Sequence, residues 1–527
     1  MTNPRPSPWL LALLALLSGG LLVLCFPPFG LYPLAWVALV PLLAALARAA
    51  RPRQGAWLGL LTGLALFGAL HRYLLMYGLL PTLGVAVLEA LPLALFGFVA
   101  VHLAAGRRAL RQAAALAGAW VLAEWLRAHL GGLSLTLGQL GYSQQPSLPL
   151  LQSASLAGAL GISFLIVLLN AALAAALFPR DRRLHGRWAA LALAAALVGL
   201  TWAWGNRVLR RPLPSGPPLT VAVVQPNVPL HTPVTAEDED KCLKEYPRYT
   251  DLLMALYGPA EEHRPGRPQL VVWPETAFAV ALNQDAFSEE VARLTARQRH
   301  VWLLMGALEV QTRPEQTAGS RTQVRTYNNA WLFDPEGTLR GTYTKNDLVP
   351  FGEYVPFRDR LPFIQRYPVR DFDFTPGAGR NLLEVEGRRC GALICFEAIF
   401  PDPSRQLVAR GAEFLAFLTS DAWAGPSHEV LLHSQTAPLR AVETGRWVVR
   451  AAATGESGII SPRGEWVDSV PPWHSGVAQA QIAALQGRTP YDRWGDWPLL
   501  GLALGLVLLG WRRGRQFRSG PARPGPR

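Results

Sequence analysis

Two kinds of text make up this chain, and together they predict a multi-pass α-helical membrane domain followed by an α/β domain. Three observations carry that reading. A run of apolar segments, each about long enough to span a bilayer, fills the first two hundred residues. The basic residues gather at the apolar ends of the chain. From residue 217 the pattern changes to short β-rich runs interspersed with helical patterns, as in layered α/β folds.

The composition agrees. Half of the 527 residues are hydrophobic and 17% are charged, against about 25% in an average globular chain. This excludes a disordered or collagen-like chain. Four Cys exclude a disulfide framework. The net charge of +13 resembles a nucleic-acid signal, but residues 217–495 carry 28 basic and 33 acidic residues, and the rest carries 22 and 4. A nucleic-acid-binding surface would put its charge on the folded polar domain. Basic residues between apolar segments report membrane topology instead.

The predicted spans lie near 8–26, 31–48, 54–76, 82–104, 112–131, 155–178, 187–205 and 496–511. Pro41 and Pro92 interrupt the second and fourth, which neighbouring helices can tolerate. Arg48, Arg51 and Arg53 follow the second span, Arg107, Arg108 and Arg111 the fourth, and Arg180, Arg182, Arg183 and Arg187 the sixth. The tail carries Arg512, Arg513, Arg515, Arg518, Arg523 and Arg527, while the loops after the first, third and fifth spans carry no Lys or Arg. By the positive-inside rule both termini are cytoplasmic and the polar domain is extracytoplasmic. Arg207, Arg210 and Arg211 dissent and would meet headgroup phosphates. Residues 1–26 have no small-x-small cleavage site and another span follows at once, so they read as a retained helix. The predicted domains are 1–211 (seven spans), 217–490 (catalytic), 496–511 (eighth span) and 512–527 (basic tail). Glu89, Glu124, Arg127 and the pair His71-Arg72 fall inside spans, where such groups face a cavity, a partner or the interface. Glu124 and Arg127, three apart, are expected to pair.

In the polar domain, strand-like runs at 219–224, 270–273, 301–305, 330–333, 390–395, 414–418 and 447–451 alternate with helical patterns at 286–299, 403–411 and 429–444. Chemistry in such folds gathers at strand ends, where Glu275, Cys395 and Asp421 stand. Only three of the fifty basic residues are Lys: Lys241, Lys244 and Lys345. The first two lie in a polar, acidic stretch read as loop, with Cys242. Lys345 lies among apolar and turn residues, where a compact ammonium is needed that Arg cannot imitate. Cys390 and Cys395 are five apart, face opposite sides of one strand and cannot bridge. Glu275, Lys345 and Cys395 then form a chemical unit. The carboxylate takes the thiol proton, and the ammonium favours the thiolate and holds a developing oxyanion. Backbone N–H groups just after Cys395 supply a second donor. His428 and His433 are five apart with no further ligand cluster, so neither metal nor cofactor is implied.

At these residues the chain resembles the nitrilase, or carbon–nitrogen hydrolase, superfamily, whose Glu–Lys–Cys triad matches Trp273-Pro-Glu275, Tyr343-Thr-Lys345 and Ile394-Cys395-Phe-Glu397. It is most similar to the apolipoprotein N-acyltransferases of bacterial inner membranes, through Leu348-Val-Pro-Phe-Gly-Glu353-Tyr, Asp421-Ala-Trp423 and Arg440-Ala-Val-Glu443-Thr-Gly-Arg446. The resemblance implies an αββα sandwich, a phospholipid acyl donor and a diacylglyceryl apolipoprotein acceptor meeting in the lipid bilayer. Cys395 becomes acylated, Glu275 carries protons, and Lys345 binds the oxyanion. Glu353, Phe396 and Glu397 support them, and Trp423 lies on a substrate loop. Val234, Asp347, Phe396 and Ser420 depart from the family's usual residues. Two rivals are a membrane-tethered amidase, which needs one anchor rather than eight spans, and a transporter or receptor with an inactive outer domain, which predicts a broken triad.

Overall fold

The computed structural model describes residues 7–104, 108–179, 184–228, 235–258, 265–313, 323–356 and 373–518, with side chains to 512. Val234, Arg107, Arg180, Arg182, Arg183, Arg523 and Arg527 lie outside the described residues, and the side chains of Arg513, Arg515 and Arg518 are not described. Two compact units divide the chain: Met1–Arg211 with Trp494–Arg527, and Pro212–Arg493.

The first unit is helical. Its elements are α1 (Pro8–Leu24), α2 (Val40–Arg48), α3 (Pro52–Leu70), α4 (Leu79–Leu103), α5 (Ala109–Ala128), α6 (Leu148–Leu151), α7 (Ala154–Leu177) and α8 (Arg187–Leu209), with a last helix at Trp497–Arg518. Of these α4, α7 and α8 are long and apolar enough to cross a membrane by length and composition, and Pro8–Leu24, Tyr32–Arg48 and Trp497–Arg512 are shorter apolar helices. The segment expected as one span at 31–48 is a 3-10 turn, Tyr32–Trp36, followed by α2. Pro33 and Pro41 each occupy a helix start, where the missing N–H costs nothing. The third span also ends early. Leu70 closes α3, and Arg72–Tyr77 forms a 3-10 turn, so His71 and Arg72 sit at a helix end. In α7 the helix kinks at Ala157 and Gly158.

Gly55, Gly59 and Gly63 recur every fourth residue of α3 and face Gly97, Leu93 and Ala90 of α4. A Cβ on Gly59 would lie 2.0 Å from the Leu93 carbonyl oxygen, so only glycine admits this approach. In lipid, where apolar faces gain nothing by leaving water, such backbone contact is what holds helices together. The expected Glu124–Arg127 pair is not what forms. Arg127 pairs with Glu89, both 1% exposed, and also donates to Leu137 O at 2.8 Å and Thr136 O at 3.2 Å. Glu124 Oε1 accepts instead from the Leu140 N–H at 2.7 Å. The guanidinium finds three acceptors across the unit, more than an in-helix neighbour offers.

The second unit holds two six-stranded sheets. Its strands are β1 (Pro218–Gln225), β2 (Leu270–Val272), β3 (Trp302–Arg313), β4 (Gln323–Phe333), β5 (Leu339–Thr344), β6 (Leu383–Val385), β7 (Arg388–Ile394), β8 (Phe414–Thr419), β9 (Val448–Ala452), β10 (Ser457–Ile460), β11 (Trp466–Val470) and β12 (Gly476–Ala483). The orders are β12-β1-β2-β3-β4-β5 and β11-β10-β9-β8-β7-β6. In each sheet three central strands are parallel, β1-β2-β3 and β7-β8-β9, with antiparallel flanks. The period-2 alternation of β1 shows how the layers are built. Leu219, Val221 and Val223 face a core shared with Ala392, Ile394, Leu415 and Phe417 of the second sheet. Ala222 and Val224 face the opposite side, packing with Tyr246 and Met254 of α9 (Ala236–Ala255) and Ala292 and Ala296 of α10 (Ala286–Arg299). Helices α11 (Pro401–Ala409), α12 (Glu429–Ser434) and α13 (Thr436–Thr444) belong to the second sheet. Leu407, Val408, Ala437 and Ala441 of α11 and α13 join its core. The unit is an αββα sandwich.

The stretch read as a loop around Lys241, Cys242 and Lys244 is α9. Thr235 and Asp238 close a capping box at its start. Glu237–Lys241 and Asp240–Lys244 pair one turn apart on its exposed face. Cys242 is buried on the other face, 1% exposed.

Candidate active site

Each expected site residue follows a strand. Glu275 comes three residues after β2, and a Cβ on Gly306 of β3 would lie 2.5 Å from its Cα, so glycine there lets the strand pass. Glu275 is 5% exposed. Its Oε1 accepts from Asn328 Nδ2 at 2.7 Å and Lys345 Nζ at 3.4 Å, and its Oε2 accepts from the Ser420 N–H at 2.8 Å. Lys345 follows β5 and is 1% exposed. Its Nζ donates to Glu353 Oε1 at 2.7 Å, and Glu353 Oε2 is tied down by the Val349 N–H at 2.8 Å. Burial alone would disfavour the ammonium, but Glu353, Glu275 and Cys395 outweigh it, and the net shift is upward. The site therefore holds a permanent cation between two carboxylates.

Cys395 follows β7 and opens the 3-10 turn Cys395–Ile399, with φ of 51°. A non-glycine residue held in the left-handed region costs on the order of 1–3 kcal/mol and persists where the surroundings over-determine it. Burial pushes its thiol well above the ordinary range, Glu275 adds to that, and Lys345 only partly opposes it. Lys345 favours the thiolate, as expected, and burial opposes it. A thiol held up in this way needs a base to take its proton before the sulfur can attack. Cys390 lies inside β7, fully buried, and burial pushes its thiol up as well.

Glu397 is fully buried and braces the turn. It accepts from Tyr343 Oη at 2.8 Å and from the N–H groups of Asn346 at 2.8 Å and Ile394 at 2.9 Å. It so ties the strand before Cys395 to the segment after Lys345. Burial raises its carboxyl to about 7 against these donors. Phe396 packs edge-on against Phe400, centroids 5.0 Å apart. Trp423 lies in the 3-10 turn Ala422–Ala424 after β8 and is 37% exposed. Asp347 pairs with Arg380. Ser420 meets Glu275 through its backbone, so its side-chain departure leaves that contact intact. Arg440 donates to Ile399 O at 3.1 Å and to Glu443 at 3.0 Å, which buttresses the turn from behind. Among the described residues no cluster of three or more His, Cys, Asp or Glu suited to a metal ion occurs.

The sequence reading gave no role to Asn328 or Thr419, and weighed His433 only as a metal ligand. Asn328 sits in Tyr327-Asn-Asn-Ala330, two consecutive amides inside a strand, a polar interruption that could have marked it.

A Glu, a Lys and a Cys brought to strand ends of an αββα unit define the class, a carbon–nitrogen hydrolase fold carried with an apolar helical unit. The family model described as Carbon-nitrogen hydrolase matches residues 220–491, and the Apolipoprotein N-acyltransferase N-terminal domain matches residues 18–172. Relatives named apolipoprotein N-acyltransferase include one from Azotobacter vinelandii, 36% identical over 99% of this chain and 98% of that protein. Others are from Geobacter metallireducens, 33% identical over 95% of each, and Pseudomonas putida, 34% identical over 96% of this chain and 97% of that protein. The chain belongs to the apolipoprotein N-acyltransferase family.

Proposed function

We propose that this membrane enzyme moves a fatty acyl chain from a phospholipid, through a thioester on Cys395, to the α-amine of a diacylglyceryl-cysteine apolipoprotein. The observation that carries it is the meeting of Glu275, Lys345 and Glu353 with a strained, buried Cys395 in a chain that also bears the apolar helices. In the first step Glu275 takes the thiol proton as sulfur attacks the ester carbonyl carbon. Lys345 Nζ and the Phe396 N–H hold the oxyanion. Collapse breaks the C–O bond, and the proton passes from Glu275 to the leaving lysophospholipid. In the second step the amine attacks the thioester, Glu275 removes its proton, and the C–S bond breaks to restore the thiol. Glu353 keeps Lys345 oriented, Glu397 holds the turn, and Trp423 contributes to the loop over the acyl chain. Both substrates carry acyl chains, so they reach the site by lateral diffusion, and an apolar approach keeps water from the thioester.

The Arg alternation supports an inner-membrane location with the catalytic unit on the extracytoplasmic face and both termini cytoplasmic. A reporter fused after residue 480 should be active outside the cytoplasm and one after 515 should not. The chemistry is tested with the full chain and phospholipid alone. A hydroxylamine-sensitive acyl adduct should form, survive Cys390→Ala and vanish in Cys395→Ala. An adduct that persists in Cys395→Ala refutes the nucleophile. Release of ammonia from simple amides, with no transfer to a lipopeptide amine, would favour the tethered amidase.

A further inference from the structure

Behind the nucleophile lies a chain of buried polar groups that the two steps above do not use. Asp421 follows β8, and its Oδ2 accepts from Arg450 Nη2 at 2.9 Å. Its Oδ1 accepts from Thr419 Oγ1 at 3.0 Å and meets His433 Nδ1 at 2.8 Å. The other ring nitrogen, Nε2, lies 3.3 Å from the carbonyl oxygen of Cys395. The Thr419 hydroxyl is also within hydrogen-bonding reach of the Cys395 thiol. Asp421, His433 and Arg450 are 0%, 3% and 1% exposed, so the chain is dry.

The hydrogens on the ring follow from its neighbours. Thr419 and Arg450 both donate to Asp421, which makes it an ionised acceptor, and a peptide carbonyl can only accept. Burial pushes Asp421 up, but His433 and Arg450 outweigh it and hold it below the ordinary range. The other acids nearby are Glu429, one turn earlier on α12, and Glu456, and burial raises both toward the neutral form. An imidazole between two acceptors satisfies both only with a hydrogen on each nitrogen, and Asp421 would then be shared between the ring and Arg450.

The carbonyl of Cys395 and the N–H of Phe396 belong to one planar peptide and point in opposite directions. A donor that fixes the carbonyl therefore aims the N–H. A charge-assisted bond to that carbonyl also polarises the peptide and strengthens its N–H as a donor. The left-handed backbone of Cys395 is a conformation that needs such a clamp.

We propose that His433, held as an imidazolium by Asp421, is a positioning residue that fixes and polarises the Cys395–Phe396 peptide, so that the Phe396 N–H serves as the second oxyanion donor. The proposal deepens the reading of the site given above and rests on Cys395 being the nucleophile.

The test uses the full chain in detergent micelles. With 15N-labelled histidine at the pH of the assay, one of the ten histidines should show both ring nitrogens protonated, and that signal should vanish in His433→Gln. Single-turnover thioester formation by His433→Gln should fall about 10- to 100-fold, somewhat less than the loss of a whole oxyanion donor. The half-saturating phospholipid concentration and the melting temperature should stay near wild type, a split that a merely structural role would not give. A wild-type rate in His433→Gln overturns the proposal. So does a wild-type spectrum with no doubly protonated ring, which decides the matter even where the variant fails to fold. An adduct surviving Cys395→Ala would instead sink the site reading itself. Loss of the adduct there, with a wild-type rate in His433→Gln, would sink this inference alone.

Discussion

Each unit of this protein buries a cation against a carboxylate, and the two arrangements differ in what they leave over. In the helical unit Arg127 spends its fork on Glu89, Leu137 O and Thr136 O, with its guanidinium carbon 4.9 Å from the centre of the Phe67 ring. In the catalytic unit Lys345 lies 2.7 Å from Glu353 and 3.4 Å from Glu275. An ammonium has three rotatable donors, so two carboxylates leave one hydrogen that can turn to a charge developing on substrate. The first site commits its cation to groups of the protein, although Arg127 Nε and Glu89 Oε1 stay buried without a partner; the second keeps a donor poised. In a chain that writes Arg at 47 of 50 basic positions, the one Lys buried among the described residues stands where rotation matters.

The sharpest way to break that comparison is to empty each site of its cation. Arg127→Leu strands Glu89 in a dry interior and should cost about 3–5 kcal/mol of stability. The folded fraction should keep its transfer rate, and Glu89→Leu/Arg127→Leu should recover most of the loss. Thermal unfolding in detergent, paired with activity per folded molecule, checks this; a dead but stable Arg127→Leu would make the membrane pair catalytic. Lys345→Arg keeps the charge but brings a planar fork into a space fitted to an ammonium. It should lower acyl transfer about 100- to 1000-fold, close to Lys345→Ala. Lys241→Arg and Lys244→Arg, on the exposed face of α9, should match wild type. Robust transfer of a labelled acyl chain to a lipopeptide amine by Lys345→Arg would mean that rotation is not what the site requires.

Glu397 extends the contrast to a buried carboxylate held by N–H and O–H donors. Burial raises its folded-state value from 4.5 to about 7. Between those values the unfolded chain has released a proton that the folded chain retains, so stability falls as pH rises through the window. The span corresponds to about 3 kcal/mol. Glu397→Gln should flatten this slope between pH 5 and pH 7.5 in denaturant titrations. A slope unchanged by the substitution would show that another group carries it.

How much of this was legible follows the range of each contact. Glu275, Cys395 and Asp421 stood out because a β-rich run hands over to a singular polar residue, a local signal. Lys345 stood out through the Arg bias. The capping box of α9, Thr235 to Asp238, was equally local, yet the acidic composition around it was read as loop. The glycine stripe of α3 went unremarked in the sequence, because its meaning requires α4 on the other side. The true partner of Arg127 lies 38 residues away, and nothing near either residue names it. His433 illustrates the limit best. Its spacing from His428 raised only the question of a metal, because its actual partners, Asp421 and the Cys395 carbonyl, lie beyond the ends of β8 and β7.

The smallest effect probes how the proposed base, Glu275, is held. Asn328 Nδ2 donates to Glu275 Oε1 at 2.7 Å and lies 3.5 Å from Glu353, while its own Oδ1 is buried with no partner. In the helical unit the corresponding second partners are backbone carbonyls, which no substitution removes. Here the second partner is a side chain, so the support can be withdrawn alone. A hydrogen bond to a charged group contributes about 1.5–3 kcal/mol. Lys345 and the Ser420 N–H remain on Glu275, so Asn328→Leu should slow thioester formation only about tenfold, near the lower end of that range. Leu also removes the orphaned Oδ1, which offsets the lost bond, so the melting temperature should hardly move. A rate that falls while stability holds makes Asn328 a positioning residue for the base. Equal losses in both would make it a packing residue, and the contrast between a committed and a poised cation would then stop at Lys345.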